Sequence, residues 1–290
     1  MGVDVVTSHY GDSERYAHYE GTQTCGSVWV CPCCSARISE TRRDEMNTLL
    51  AWAREQVFVV QMATLTARHG REDDLGDLLE RMKVAKQKWA RHRAYSRLRP
   101  EIVGTVTATE VTYGKAGWHP HFHIIVVTRE TVDLDQLQEP WLSALRGVGL
   151  DGTGAGWRIQ DASQAGRYIS KWGAAEEMSL NARKEGGRGG RTPAQLLAAS
   201  SDKGDKEAGA LWREYAQVFH GRRQLVWSRG LKALAGVGEV DDATAAHDER
   251  QDDQEEVARG NIPYEAWRDR VARHGGDQRA ALLDRAEQVG

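Results

Sequence analysis

Two imidazoles and a carboxylate carry the strongest chemical signal in this chain. His121 and His123 stand two residues apart in a run containing Phe122, Ile124, Ile125, Val126 and Val127, types that favour strands. Side chains alternate across a strand, so both rings face the same way. A second such run covers 103–113, and Gly114-Lys115-Ala116-Gly117 lies between the two as the four-residue loop of a hairpin. Symmetric closure places Glu110 opposite His121 and Ala108 opposite His123, which makes the carboxylate a direct neighbour of both rings. Such a set suits a divalent cation such as Mg²⁺ or Mn²⁺, because it leaves coordination positions open for phosphate or water. The rival reading, polar residues on the exposed face of a sheet, accounts well for one histidine and poorly for two opposite a glutamate. His119 has the same parity but sits at the strand mouth beside Pro120, where it would support the ligands or touch substrate.

Tyr168 and Lys171 lie three apart in a helical pattern, so a phenol and an ammonium would project from one face. The Tyr-x-x-Lys pair is common by chance, and a core tyrosine explains it equally well unless a metal site lies nearby. All four cysteines fall between positions 25 and 34. Cys31 and Cys34 have the spacing of a zinc knuckle, with Cys25 as third thiolate and Cys33, His18 and His69 as candidates for the fourth ligand. Reduced cysteines in a small core, or a redox pair, are the alternatives.

The stretch Trp118-His-Pro-His-Phe-His123 resembles the His-hydrophobic-His signature of the HUH single-strand endonucleases, and more narrowly the rolling-circle plasmid replication initiators of actinobacteria. The resemblance runs from about Thr24 to Ala235. Residues 24–34 are similar to the initiators' cysteine box, Ala63-Thr-Leu-Thr66 to their first motif, and Tyr168-Ile-Ser-Lys171 to their third, in which the tyrosine attacks DNA. It implies nicking at a single-stranded or hairpin origin through a 5′-phosphotyrosine, with a free 3′-OH as primer and host helicase and polymerase as partners. Two positions depart from the pattern. Cys33 stands where a hydrophobic residue is expected, and Gln164 replaces the glutamate that some relatives carry one turn before the tyrosine. Related alternatives are a transposase or relaxase with the same site; an alternative of another class is a zinc-stabilised DNA-binding regulator without catalysis.

The elements that must position these groups read as follows. A loose helical pattern over 35–55 carries Arg37, Arg42 and Arg43, either as a solvated face or as phosphate contacts. A buried strand over 57–67 leads to a long amphipathic helix over 72–98, then the hairpin, a helix over 132–145, a short strand over 157–160 and a helix over 163–178. That order predicts an α+β fold, a ferredoxin-like split βαβ antiparallel sheet with helices on one face and the other free for metal and nucleic acid. Gly147 to Gly152 matches a dinucleotide fingerprint in letters only, since a helix precedes it and a strand follows. A short helix capped by Thr192-Pro193, a second over 207–220 and a closing strand over 221–227 form a helical C-terminal extension.

The chain has 290 residues, 40% of them hydrophobic, and a formal charge of -3. From Gly236 onward there are 14 acidic and 7 basic residues, against 28 and 32 before it, so the body is mildly basic and the acidity belongs to the tail. The expected divisions are a flexible arm over 1–23, the cysteine element and helix over 24–56, an endonuclease domain over 57–235, and an acidic, partly helical tail over 236–290. No run of 18 apolar residues and no signal pattern occurs, so no membrane partner and a cytoplasmic location are expected.

Overall fold

The structure, a computed structural model, describes residues 2–10, 14–20, 25–162, 190–247, 257–271 and 276–288. Gln164, Tyr168, Lys171 and the helix expected over 163–178 lie outside the described residues. The chain divides into two compact units, Met1–Cys25 with His247–Gly290, and Gly26–Ala246.

The second unit is built on a five-stranded antiparallel sheet. Its strands are β3 (Val59–Thr66), β4 (Ile102–Gly114), β5 (Gly117–Thr128), β6 (Trp157–Asp161) and β7 (Leu225–Trp227), in the order β6-β3-β5-β4-β7. The β4–β5 register pairs Glu110 with His121 and Ala108 with His123. The connection is tighter than the four-residue loop read from the sequence. Gly114 and Gly117 pair with each other and only Lys115 and Ala116 lie between them. Lys115 and Ala116 have no positive φ, and the left-handed conformation falls on the residue after them, Gly117 at 85°, where the missing side chain allows it.

One face of the sheet is apolar because alternate residues of each strand are: Ala63 and Leu65 on β3, Phe122, Ile124 and Val126 on β5. Helix α2 (Leu75–Ala90) lays Leu75, Leu78, Leu79, Met82, Ala85 and Trp89 on one stripe at helical spacing, and four of them join this core. Asp74 caps the helix by accepting from Asp77 N. Burying a Leu or Met there contributes about 1.5–3 kcal/mol. The helix expected over 72–98 is two: α2 ends at Ala90, and α3 (Arg93–Leu98) restarts with His92 Nδ1 accepting from Ala94 N. Helix α4 (Gln138–Arg146) completes the layer. Three core tryptophans have their N–H groups satisfied, Trp89 on Leu137 O, Trp141 on Thr66 O and Trp157 on Asp135, which removes the cost of burying them.

The opposite face is not free along its whole length, as the sequence reading had it. Helix α1 (Pro32–Glu55) packs Met46, Leu49, Leu50 and Ala53 against Val60, Met62, Ile125 and Val127. Those strand positions are apolar, whereas farther along the same face they become Thr64, Thr66, His119, His121, His123 and Glu110. The helix covers the apolar end and leaves the polar one. Arg42, offered above as a phosphate contact, is instead buried, bonded to Glu45, Asp242 and Val240 O, with Lys232 on the same Glu45. Helices α5 (Pro193–Lys203), with a Thr192–Gln195 capping box, and α6 (Lys206–Phe219) precede β7, which pairs with β4. A short helix, α7 (Leu231–Leu234), follows.

The first unit corrects the arm expected over 1–23. Strands β1 (Gly2–Tyr10) and β2 (Glu14–Glu20) form a hairpin, and β8 (Val257–Pro263) pairs with the other side of β1. The tail thus supplies a strand that was not anticipated, besides its helix α8 (Gly276–Gln288). Val5, Ala17 and Ala286 pack with Tyr19, Ile262 and Leu283, and Glu287 accepts from Ala17 N. Among the described residues no helix is long and apolar enough to cross a membrane.

Candidate functional site

The polar end of the sheet gathers the three residues on which the sequence reading centred. His121 Nε2 lies 3.0 Å and His123 Nε2 2.8 Å from the same carboxylate oxygen, Glu110 Oε2. Strand alternation and the β4–β5 register alone produce this convergence, since each side chain stands on the same face at adjoining positions. The rings keep 13% of their side-chain surface exposed and Glu110 keeps 30%, so the group is sheltered yet open to a ligand. Burial pushes the Glu110 carboxyl up, but the hydrogen bonds donated by His121 and His123, and their charge when protonated, outweigh it and hold Glu110 well below the usual carboxylate range.

Three observations bear on whether a cation fits. The ligand atoms of Glu110, His121 and His123 all lie within 4.8 Å of one another. Separations near 3 Å are those of neighbouring donors around an ion at about 2.1 Å. The His123 ring is oriented from behind by Thr64, whose Oγ1 lies 3.1 Å from Nδ1, and that hydroxyl can accept or donate. His121 Nδ1 is buried with no partner among the described residues. Two nitrogens and one carboxylate oxygen, anchored on rigid strands, fit a divalent cation with open positions.

His119 stands one position farther along the same face, its ring 5.5 Å from that of His121. Burial pushes its pKa down to about 4, with His121 and His69 adding in the same direction. His69 was a candidate zinc ligand. The structure pairs it with His119 instead, Nε2 to Nδ1 at 2.7 Å, and places its Nδ1 2.9 Å from Ala116 O. The pairing crosses 50 positions of sequence, so no local signal announced it.

Cys25, Cys31 and Cys34 bring their sulfurs within 4.8 Å of one another. Cys31 is the N-cap of α1 and Pro32 its first residue, so the Cys31-x-x-Cys34 turn is fixed by the helix start. Three clustered thiols fit zinc. The side chains of Cys33 and His18 lie outside the described ones. Asp161 pairs with Gln61 on the sheet face opposite the histidines, and Tyr215 is buried beside Phe219. Trp29, Trp118 and Trp157 are buried in the core rather than offered as stacking surfaces for bases.

Residues 17–132 match the family model described as "Replication protein". Over that stretch the chain is similar to the Replication protein family. The match includes the cysteine cluster and all of Glu110, His121 and His123 and ends before Tyr168. A relative from Streptomyces lividans, "Protein rep", is 27% identical in an alignment covering 93% of this chain and 80% of that protein. The "Neomycin resistance protein" of Streptomyces cyanogenus is 31% identical over 134 residues, 37% of this chain and 31% of that one. No solved structure matches.

Proposed function

We propose that this chain is a replication initiator that nicks one strand of origin DNA and transfers it to Tyr168. The observation that carries the reading is the meeting of His121, His123 and Glu110 within 3.0 Å of one oxygen, in a stretch similar to the Replication protein family. The strand order β6-β3-β5-β4, reached through β3-α2-β4-β5-α4-β6, supports the ferredoxin-like arrangement of the HUH endonucleases. The Cys25, Cys31 and Cys34 cluster supports a structural zinc element ahead of it. On this reading the nicking unit comprises 57–235 and is braced by the helix of the 24–56 element.

The chemistry needs a nucleophile, neutralised phosphate charge and a stabilised leaving group. A Mg²⁺ or Mn²⁺ ion held by His121, His123 and Glu110 would supply Lewis-acid polarisation of the scissile phosphate. The Tyr168 hydroxyl attacks phosphorus, the phosphorus–3′-oxygen bond breaks, the phenol loses its proton and the 3′-oxygen gains one. Lys171 steadies the phenolate or the phosphate oxygens. The product is a 5′-phosphotyrosine and a free 3′-OH, which keeps the ester reactive for strand transfer and leaves a primer for host helicase and polymerase. Gln164 has no basic atom, so release of the adduct draws its acceptor from another residue.

Supercoiled plasmid carrying the gene's own upstream DNA tests this. The chain with Mn²⁺ converts it to open circles bearing one free 3′-OH, and Tyr168→Phe does not. Binding that shifts the DNA without nicking, under either cation, would establish the regulator reading instead.

A further inference from the structure

The pair His69–His119 lies beside the three candidate ligands and has no part in the scheme above. Its donors and acceptors can be assigned. A carbonyl oxygen only accepts, so the 2.9 Å contact of His69 Nδ1 with Ala116 O requires a proton on Nδ1. A neutral His69 then has its lone pair on Nε2. That atom lies 2.7 Å from His119 Nδ1, which must therefore be the donor. His119 is left with its proton on Nδ1 and a lone pair on Nε2.

The backbone that sets this chain is tightly specified. Ala116 lies in the β4–β5 turn, and a Cβ on Gly117 would sit 2.7 Å from Gly70 O and 2.9 Å from Arg71 Cα. The turn thus presses on the residues immediately after His69. The absence of a side chain at Gly117 lets the loop approach until His69 reaches the turn carbonyl. An acceptor alone on a ring is set by what the other nitrogen does, and here a backbone carbonyl sets it through two rings.

We propose that His69 is a positioning residue that locks His119 in the Nδ1–H form, so that His119 Nε2 presents an acceptor to a hydroxyl donor on the catalytic face. His119 shares that face with His121 and His123 by strand alternation, and an acceptor there complements a hydroxyl of the protein during cleavage or a water during release of the adduct. The role of the acceptor rests on the nicking reading. The protonation pattern does not.

The test uses the full chain labelled with ¹⁵N-histidine and measures ring tautomers by NMR, with cleavage and adduct release followed separately on an origin oligonucleotide. His119 is expected as Nδ1–H in the parent chain and in His69→Gln, whose amide can both donate to Ala116 O and accept from His119, and as Nε2–H in His69→Leu. His69→Leu is expected to lower the rate of one step about fivefold to tenfold with the KM for DNA unchanged, and His69→Gln to restore it. Slower adduct formation identifies a protein hydroxyl as the donor, and slower release alone identifies water. An Nε2–H His119 in the parent chain, as a cationic His69 would impose, overturns the proposal. So does a tautomer indifferent to His69→Leu, or unchanged rates for both steps. The predicted tautomers in a chain that never cleaves DNA would refute the nicking reading and the acceptor's use while leaving the lock itself standing.

Discussion

Replacing Thr64 by valine isolates the support behind His123. With a cation on Nε2, the neutral His123 ring carries its proton on Nδ1 and donates to Thr64 Oγ1, 3.1 Å away. Valine keeps the β-branched shape and strand preference but removes the acceptor. Because the ring is only 13% exposed, water does not readily replace the hydroxyl, and a buried donor without a partner costs about 1–3 kcal/mol. Loss of such supporting contacts typically weakens metal binding by about 10–100-fold, or about 1.4–2.8 kcal/mol, which agrees. Calorimetric titration with Mn²⁺ should show Thr64→Val binding about 10–30-fold more weakly, Thr64→Ser close to the parent, and thermal midpoints within about 3 °C of it. Equal affinity in the valine variant, or a serine no better than valine, would refute the reasoning.

Three further outcomes follow from the same geometry. Gly117→Ala adds a side chain at φ 85° and against backbone that cannot yield without moving the 69–71 loop; a loss of about 2–4 kcal/mol is expected, read as a fall of about 5–10 °C in thermal midpoint. Lys86 donates to Thr107 Oγ1 at 2.9 Å, and burial pushes its pKa down to about 8. The folded chain then holds this proton less tightly than the unfolded one, so the Lys86 contribution to stability rises with pH from about 8 to the ordinary lysine value, and urea titrations should lose that increment in Lys86→Met. Cys34→Ser should abolish a bound zinc detectable by metal analysis of the purified parent chain, and a parent chain free of zinc would refute the structural-zinc reading.

What could be read from the sequence was what repeats locally. The alternation through Phe122 to Val127 and Val103 to Tyr113 dictated the hairpin, and its register followed once the turn was located, so the meeting of Glu110 with His121 and His123 was legible. The length of the turn was not, because Gly114 and Gly117 serve equally as loop or as paired strand ends. Strands β1, β2 and β8 escaped notice since their partners include residues some 250 positions away and their apolar faces are short. Arg42 carried the same charge whether it faced phosphate or Glu45, and only the packing of α1 decided between them. The His69–His119 contact depends on a loop meeting a turn, a tertiary event without a periodic trace.

The most direct measurement is to trap the protein on an origin oligonucleotide with Mn²⁺ and map the adduct by peptide mass spectrometry. The account predicts a 5′-phosphonucleotide on Tyr168, formed only with a divalent cation and lost in His123→Ala and Glu110→Ala. An adduct on another residue, or one that forms undiminished without His123 and Glu110, would contradict it.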